Sequence, residues 1–149
     1  MSEEEKYNRC VEDMGDLLQR TVRILQMFER EHIKVHGFTT SQCYLLLEIE
    51  KHQVLTINEI SEKMRLEAST ITRIMNNLVR DGLVLRQRAD TDKRIVEAVL
   101  TEQGRATAQA LKKSIAGYYK SVISNLPRGH VREVMNSVEL LLGALEKAR

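Results

Sequence analysis

The chain has few of the residues that interrupt or cross-link a fold. Its 149 residues include one proline, seven glycines, two cysteines and no tryptophan. So few chain breakers favour long helices, and two cysteines are too few for a disulfide framework. We therefore expect Cys10 and Cys43 to be reduced thiols, with Cys43 packed in an apolar helix. The 42% of hydrophobic and 30% of charged residues indicate a globular protein rather than a disordered one.

Long hydrophobic runs are also missing. No apolar stretch reaches the roughly 18 residues that a transmembrane helix requires. The first residues, MSEEEKYNRC, are polar and acidic, unlike a secretory signal. We therefore expect no membrane partner and a cytoplasmic location. The length suits one domain, or one module that self-associates.

Motifs that identify enzymes are not found. The chain has no nucleophile elbow, no phosphate-binding glycine loop, no HExxH and no Cys-x-x-Cys. Its Ser, His and Asp residues have no spacing that singles any of them out. We expect the protein not to be an enzyme and to need no cofactor.

Helical periodicity is what the chain has in quantity. Apolar residues from Val11 to Leu25 follow steps of three and four, which predicts a first helix over residues 3–36, ended by Gly37. The same criteria predict five further helices. Their boundaries are marked by residues 39–41, by Thr56 with Glu59, by Asp81 with Gly82, by Thr101 and by Pro127.

Two short segments, residues 83–88 and 94–100, are predicted to form a β-hairpin around the polar loop 89–93. The fold class is therefore mainly α, an α+β arrangement of six helices and a two-stranded hairpin. The first, fifth and sixth helices carry more apolar face than one protomer can easily cover. We expect an obligate-type homodimer. The alternative is that these helices cover the rest of the fold within a monomer.

Positive charge is concentrated on one segment. Residues 63–94 contain eight Lys or Arg and four Asp or Glu, whereas residues 1–36 contain six and eight. This distribution is typical of a surface that faces phosphates.

The polar face of the fourth helix has the residue types that read base edges in a DNA major groove. Arg and Asn side chains offer fork-shaped and amide donors, and short hydroxyl side chains let a helix approach the groove floor. An ordinary solvated face is the alternative interpretation. The residues on or beside this face are Ser69, Thr70, Thr72, Arg73, Asn76, Asn77 and Arg80.

The hairpin that follows carries four cations: Arg86, Arg88, Lys93 and Arg94. Like charges at this density repel one another unless they meet an anion, such as the phosphate backbone or a narrow minor groove. We interpret Asp92 as an internal partner that holds Arg94 or Arg88. An Asp that only forms the turn is a comparable alternative.

In combination these segments resemble the MarR family (multiple antibiotic resistance regulators) of dimeric winged helix-turn-helix proteins. The resemblance is carried by GFTTSQCYLLLEI, DGLVLR, DTDKR with its Asp-x-Arg, and LTEQG. About half of the chain carries these motifs, and the terminal helices match in pattern and length only. The resemblance implies a helical dimerisation domain over residues 1–36 and 101–149, and a winged helix-turn-helix DNA-binding domain over residues 37–100.

The function that the resemblance implies is sequence-specific regulation of transcription. A homodimer of this kind binds a pseudo-palindromic operator in double-stranded DNA, acts as a repressor, and is released by a small ligand, a metal or an oxidant. Thr56, which opens the third helix, joins the residues expected to contact DNA. The alternative is a helical dimeric adaptor without DNA binding, but an adaptor has no use for clustered arginines on a hairpin.

The effector is less well marked. By resemblance, an organic ligand is expected between the dimerisation helices and the winged lobe, near Met27, His36 and Tyr44. Glu29, His32 and His36 could share a helix face and hold a metal. The alternative is ordinary surface histidines favoured by the helix dipole, and we expect no metal site. A redox role for either cysteine needs a lowered thiol pKa, which the sequence does not reveal.

Overall fold

The computed structural model describes all residues from 1 to 149 and contains six α-helices, one short 3-10 helix and three strands. The predicted number and order of the helices are confirmed. The elements are α1 (Glu3–His32), a 3-10 helix (Lys34–His36), α2 (Thr40–His52), β1 (Leu55–Thr56), α3 (Ile57–Met64), α4 (Ala68–Arg80), β2 (Val84–Arg88), β3 (Val96–Leu100), α5 (Glu102–Ser124) and α6 (Val131–Lys147).

Capping residues set where the first three α-helices begin. Ser2, Thr39 and Thr56 each accept a hydrogen bond from the backbone of the third residue of the helix, whose side chain returns a bond to the cap. These reciprocal bonds satisfy amides that have no partner inside the helix. The capping box predicted at Thr56 and Glu59 is confirmed, with bonds of 3.1 and 2.9 Å.

The first helix is shorter than predicted. It ends at His32, and Ile33 (φ −119°, ψ −61°) separates it from the 3-10 turn. Ile33 is fully buried. Gly37 then ends the turn at φ 86°, in the left-handed region that favours glycine. Apolar spacing alone does not distinguish a 3-10 turn from a continued α-helix.

The predicted β-hairpin is confirmed, since β2 and β3 pair antiparallel, and a third strand that was not predicted joins their sheet. Leu55 and Thr56 form β1, which pairs antiparallel with Ala98 and Glu97 of β3, and the strand order is β1-β3-β2. Two residues are too few to show an alternating pattern. The strand forms because a distant segment supplies its partner.

By its internal contacts the chain divides into two compact units, Met1–Lys112 and Lys113–Arg149. The first unit contains a core of fully buried residues from several helices, among them Leu45, Ile60, Ile71 and Leu78. The division of the chain into dimerisation and DNA-binding domains remains a prediction, since these units are defined by contacts within one chain.

The second unit contains the end of α5 and all of α6. Pro127 lies in the connecting turn, where its carbonyl accepts from the His130 amide at 3.1 Å, and α6 begins only at Val131. Pro127 was predicted near the start of the helix and instead precedes it by a full turn. No side chain of α6 is fully buried. None of the helices combines the length and the apolar character that a membrane span requires.

Candidate nucleic-acid interface

Helix α4 is strongly two-sided. Its inner face is buried and consists of Ile71, Ile74, Met75 and Leu78. On the other side the predicted residues Ser69, Thr72, Arg73, Asn76 and Arg80 are exposed, whereas Thr70 and Asn77 are half-buried at the edge. The side chains expected to read bases are therefore accessible. That they contact DNA remains a prediction.

Two of the hydroxyl side chains already have partners. Thr72 Oγ1 donates to the Ala68 carbonyl at 2.9 Å, so its proton is used within α4. Thr56 Oγ1 accepts from the Glu59 amide as the cap of α3, and Thr56 is half-buried. These contacts indicate that Thr56 helps to position the helix-turn-helix, beside any contact it makes with DNA.

The turn between α3 and α4 is fixed by bonds that sequence reasoning missed. Ser61 Oγ donates to the Leu66 carbonyl, and the Leu66 amide donates to the Ser61 carbonyl at 3.2 Å. Between them, Arg65 adopts a left-handed conformation with φ 54° and ψ 41°, which is uncommon for a residue other than glycine. This turn sets the angle at which α4 leaves α3.

A groove of about 380 Å³ lies where the start of α2 meets α4. Some of its lining residues belong to the start of α2 and were not among the predicted DNA contacts. The sequence had marked this segment only as a helix cap. The groove is lined by Thr39, Ser41, Gln42, Leu66, Thr70, Arg73, Ile74 and Asn77.

Each arginine of the hairpin has a hydrogen-bond partner. Arg86 on β2 donates from Nη2 to Oδ1 of Asn76 on α4. Arg88 donates from Nη1 to the Lys93 carbonyl at 3.3 Å. Arg94 follows in the loop, where Asp92 binds it. The strand and its loop therefore present three exposed cations in fixed positions.

Asp92 binds Arg94 by three hydrogen bonds. Of the two predicted partners of Asp92, Arg94 and Arg88, the structure therefore shows Arg94. Arg94 Nε and Nη2 donate to Asp92 Oδ1 and Oδ2 at 3.1 and 3.0 Å, and the Arg94 amide donates to Oδ1 at 3.0 Å. The side-chain and backbone bonds from Arg94 hold the pKa of the Asp92 carboxyl below its usual range. The pair is therefore formed at neutral pH, and is lost only as the pH falls through that lowered pKa.

Hydrogen bonds connect the end of α4 to the start of α5. Gly82 has φ 76°, and Gly82 and Leu83 donate to the carbonyls of Val79 and Leu78 at 3.0 and 2.9 Å, a Schellman ending. Thr101 Oγ1 donates to the Gly82 carbonyl at 2.7 Å and accepts from the Gly104 amide at 2.9 Å. Thr101 was predicted only as a helix cap, and it also links two helices.

The predicted effector residues differ in their surroundings. His36 lines a small cavity of about 220 Å³ with four other residues, whereas Met27 and Tyr44 are not part of its lining. Met27 is 51% exposed, and Tyr44 is half-buried. Only the resemblance had pointed to this region. The other lining residues are Phe38, Thr107, Ala110 and Leu111.

The alternative effector chemistries find little support. Because α1 ends at His32, His36 does not share a helix face with Glu29 and His32, and no group of three His, Cys, Asp or Glu side chains is arranged to hold a metal. Cys43 is fully buried as predicted, and burial raises the pKa of its thiol to about 11. It is therefore a neutral and unreactive thiol at neutral pH. Cys10 is exposed.

Comparison with known proteins places this arrangement among transcriptional regulators. A sequence model of the MarR family matches residues 36–95. The HTH-type transcriptional repressor MdtR of Bacillus subtilis (strain 168) is 25% identical over 120 residues, which cover 78% of this chain and 77% of that protein. The HTH-type transcriptional regulator SarZ of Staphylococcus aureus (strain USA300) is 30% identical over 80 residues, 54% of each chain.

The fold is shared over nearly the whole length with solved structures of such regulators. FabT of Streptococcus pneumoniae, crystallised in complex with DNA, superposes with a TM-score of 0.75 over 96% of this chain and 99% of that one, at 21% identity. At this identity the superposition shows the fold. Residues 36–95 match the MarR family of transcriptional regulators, and the chain as a whole shares the fold of FabT.

Proposed function

We propose that this protein is a sequence-specific DNA-binding transcriptional regulator that acts as a homodimeric repressor on a pseudo-palindromic operator. The observation that carries the proposal is the exposed polar face of α4 beside a hairpin whose arginines are each held in place. The name of MdtR as a repressor and the DNA complex of FabT support the same function. DNA binding also supports a cytoplasmic location.

The two parts of the surface suit the two grooves of the duplex. The polar face of α4 presents Arg73 and Asn76 beside short side chains, as base-edge reading in the major groove requires. The 89–95 loop presents Arg94, whose guanidinium suits the narrow minor groove and the backbone beside it. An adaptor that binds another protein remains the second candidate, and it is favoured only by the exposed apolar helices. We do not propose an enzyme, since the relatives are transcriptional regulators.

The proposed homodimer would cover apolar surface that one chain leaves exposed. On α1, Val11 and Leu17 are 54% and 58% exposed, and on α6 Leu140 is 78% exposed. Within the second unit, side chains such as Val122, Met135 and Val138 line an apolar groove of about 510 Å³. Contiguous apolar surface of this kind marks an interaction site. We propose residues 1–36 and 101–149 as the dimerisation domain and residues 37–100 as the DNA-binding domain.

Replacing Val138 by glutamate is expected to convert the dimer to a monomer, because a charge would be buried in the interface. Light scattering with size-exclusion chromatography should give about twice the 17.2 kDa chain mass for the wild type and a single chain mass for V138E. The matched control is V54E, at a valine 43% exposed in the proposed DNA-binding domain, and it should stay dimeric. A monomeric wild type, or a dimeric V138E, would refute the proposed interface.

Selection of bound duplexes from a randomised pool tests the function itself. We expect two similar half-sites in inverted orientation, about one helical turn apart centre to centre. A reporter driven by the selected site should be less active when the protein is present. Recovery of no enriched sequence would favour the adaptor, and a more active reporter would point to an activator.

Replacing Asp92 by alanine is expected to weaken DNA binding, although it removes a negative charge that repels phosphate. Without Asp92 to accept its three hydrogen bonds, Arg94 loses its fixed position, and affinity should fall by about 10-fold. The control is D90A, since Asp90 is fully exposed and meets only Lys93 at 3.4 Å. If D92A bound as tightly as D90A, the positioning role of Asp92 would be wrong.

Release from DNA by a small organic ligand is the remaining part of the proposal. The cavity lined by His36, Phe38 and Leu111 has a volume suited to a ligand of roughly one aromatic ring. A thermal-shift screen of phenolic compounds, with zinc and peroxide as the competing effectors, identifies the class. A ligand in this cavity should raise the melting temperature of the wild type and weaken its binding to DNA.

A further inference from the structure

One contact joins the helix expected in the major groove to the first strand of the hairpin. Arg86 Nη2 donates to Asn76 Oδ1, and both side chains are otherwise exposed. Helix α4 and strand β2 are neighbouring elements. Arg88 and Arg94 have anchors within the hairpin and its loop, at the Lys93 carbonyl and at Asp92. Arg86 instead has its anchor on α4.

The chemistry of the pair fixes the orientation of the Asn76 amide. A guanidinium group has only donors, so the atom it meets must be the amide oxygen. The Nδ2 group, with its two donors, therefore faces away from Arg86. Recognition of adenine by an asparagine needs both halves of the amide, one to accept from N6 and one to donate to N7. The bond from Arg86 uses one of the two lone pairs of that oxygen and orients the plane of the amide.

We propose that Asn76 is a positioning residue, which holds the Arg86 guanidinium against the phosphate backbone between the two grooves. In this role Asn76 contributes to DNA binding through its bond to Arg86 rather than through a bond to a base. The two donors of its amide face away from Arg86 and suit acceptors, such as O6 and N7 of guanine or a phosphate oxygen. This inference rests on the proposed DNA binding and assigns a role within it.

A double-mutant cycle with a salt titration tests the proposal. The dissociation constants of the wild type, N76A, R86A and the double variant are measured on a duplex selected by the wild type, over a series of salt concentrations. R86A should lower the slope of log Kd against log salt by about one unit per lobe, because one phosphate contact is lost. N76A removes no charge, yet it should also lower this slope.

The affinities should likewise show that the effect of Asn76 depends on the presence of Arg86. Each single substitution should weaken binding by about 10-fold, and N76A should cost less than about twofold in the R86A background. The matched control is N77A, at a neighbouring asparagine that lines the α2–α4 groove. The fold loss of affinity in N77A should multiply with the fold loss in R86A, and N77A should leave the salt slope unchanged. Circular dichroism verifies that each variant folds.

Several outcomes would overturn the inference. Losses that multiply in the N76A and R86A double variant would show that the two residues act independently. An unchanged salt slope in N76A would show that it does not position a phosphate contact. Selection by N76A that loses an adenine preference retained by R86A would restore the base-reading role. Failure of the wild type to bind any duplex would instead refute the proposed function, and the positioning role would fall with it.

Discussion

Replacing Gly104 by alanine is expected to lower the free energy of unfolding by about 3 kcal/mol, the upper range for overpacking in a tight interior. A Cβ at this position would lie 1.9 Å from the Leu83 carbonyl oxygen and 2.8 Å from its carbonyl carbon. These are backbone atoms, and a side-chain rotation cannot relieve the clash.

The Leu83 carbonyl cannot move away without breaking other bonds. It accepts from the Thr101 amide at 3.0 Å, and the Leu83 amide donates to the end of α4. Any shift that admits the methyl group therefore loosens the α4 ending or the start of α5. We expect G104A to weaken DNA binding as well, because the orientation of α4 depends on this ending.

The matched control for Gly104 is Gly117, on the same helix. No atom lies within 4 Å of a Cβ built at Gly117. The free energy of unfolding of G117A should therefore be higher by about 1 kcal/mol, because alanine has the higher helix propensity. Urea denaturation of both variants at one protein concentration separates steric from propensity effects, since the concentration affects the stability of a dimer. Equal stabilities of G104A and the wild type would contradict the close packing of α5 against Leu83.

Replacing Arg94 by alanine is expected to weaken operator binding by at least about 100-fold, because a homodimer would lose one guanidinium contact in each of two lobes. Arg94 is exposed, and its bonds to Asp92 orient it without covering it. Its removal should therefore leave the fold intact. Affinity is measured by gel shift on the selected duplex, and circular dichroism reports on folding.

The control for Arg94 is an exposed cation away from the proposed interface. K51A removes the same charge near the end of α2, at the opposite end of that helix from the α2–α4 groove. It should change affinity by less than about threefold, since a distant charge is screened by salt. If R94A and K51A behaved alike, the hairpin would contribute only general charge, and the minor-groove role would be wrong.

Local chemistry made much of the fold predictable from the sequence. The Thr56 and Glu59 capping box and the glycine after α4 mark helix boundaries because the chain satisfies its free amides and carbonyls with nearby residues. The Asp92–Arg94 pair was one of two predicted pairings because both partners lie in one loop. Interactions within a few residues leave a direct trace in the sequence.

Contacts between distant segments left no such trace. The pairing of β1 with β3, the Arg86–Asn76 bond and the packing of Gly104 against Leu83 each join residues that only the folded chain brings together. The motif at residues 100–104 was recognised through the family resemblance. The sequence did not show that its glycine is needed because the Leu83 backbone lies too close for a side chain. Asn76 shows the consequence most clearly, because its residue type suggested base reading, whereas its partner suggests positioning.

The affinity of the wild-type protein for a duplex from its own promoter, measured as salt is raised, tests the proposed function most directly. Several cations on α4 and the hairpin should each neutralise a phosphate, so Kd should rise by about 1,000-fold between roughly 50 and 200 mM salt. The rise should be smaller for R94A and unchanged for K51A. No binding at low salt, or an affinity that does not depend on salt, would contradict the account.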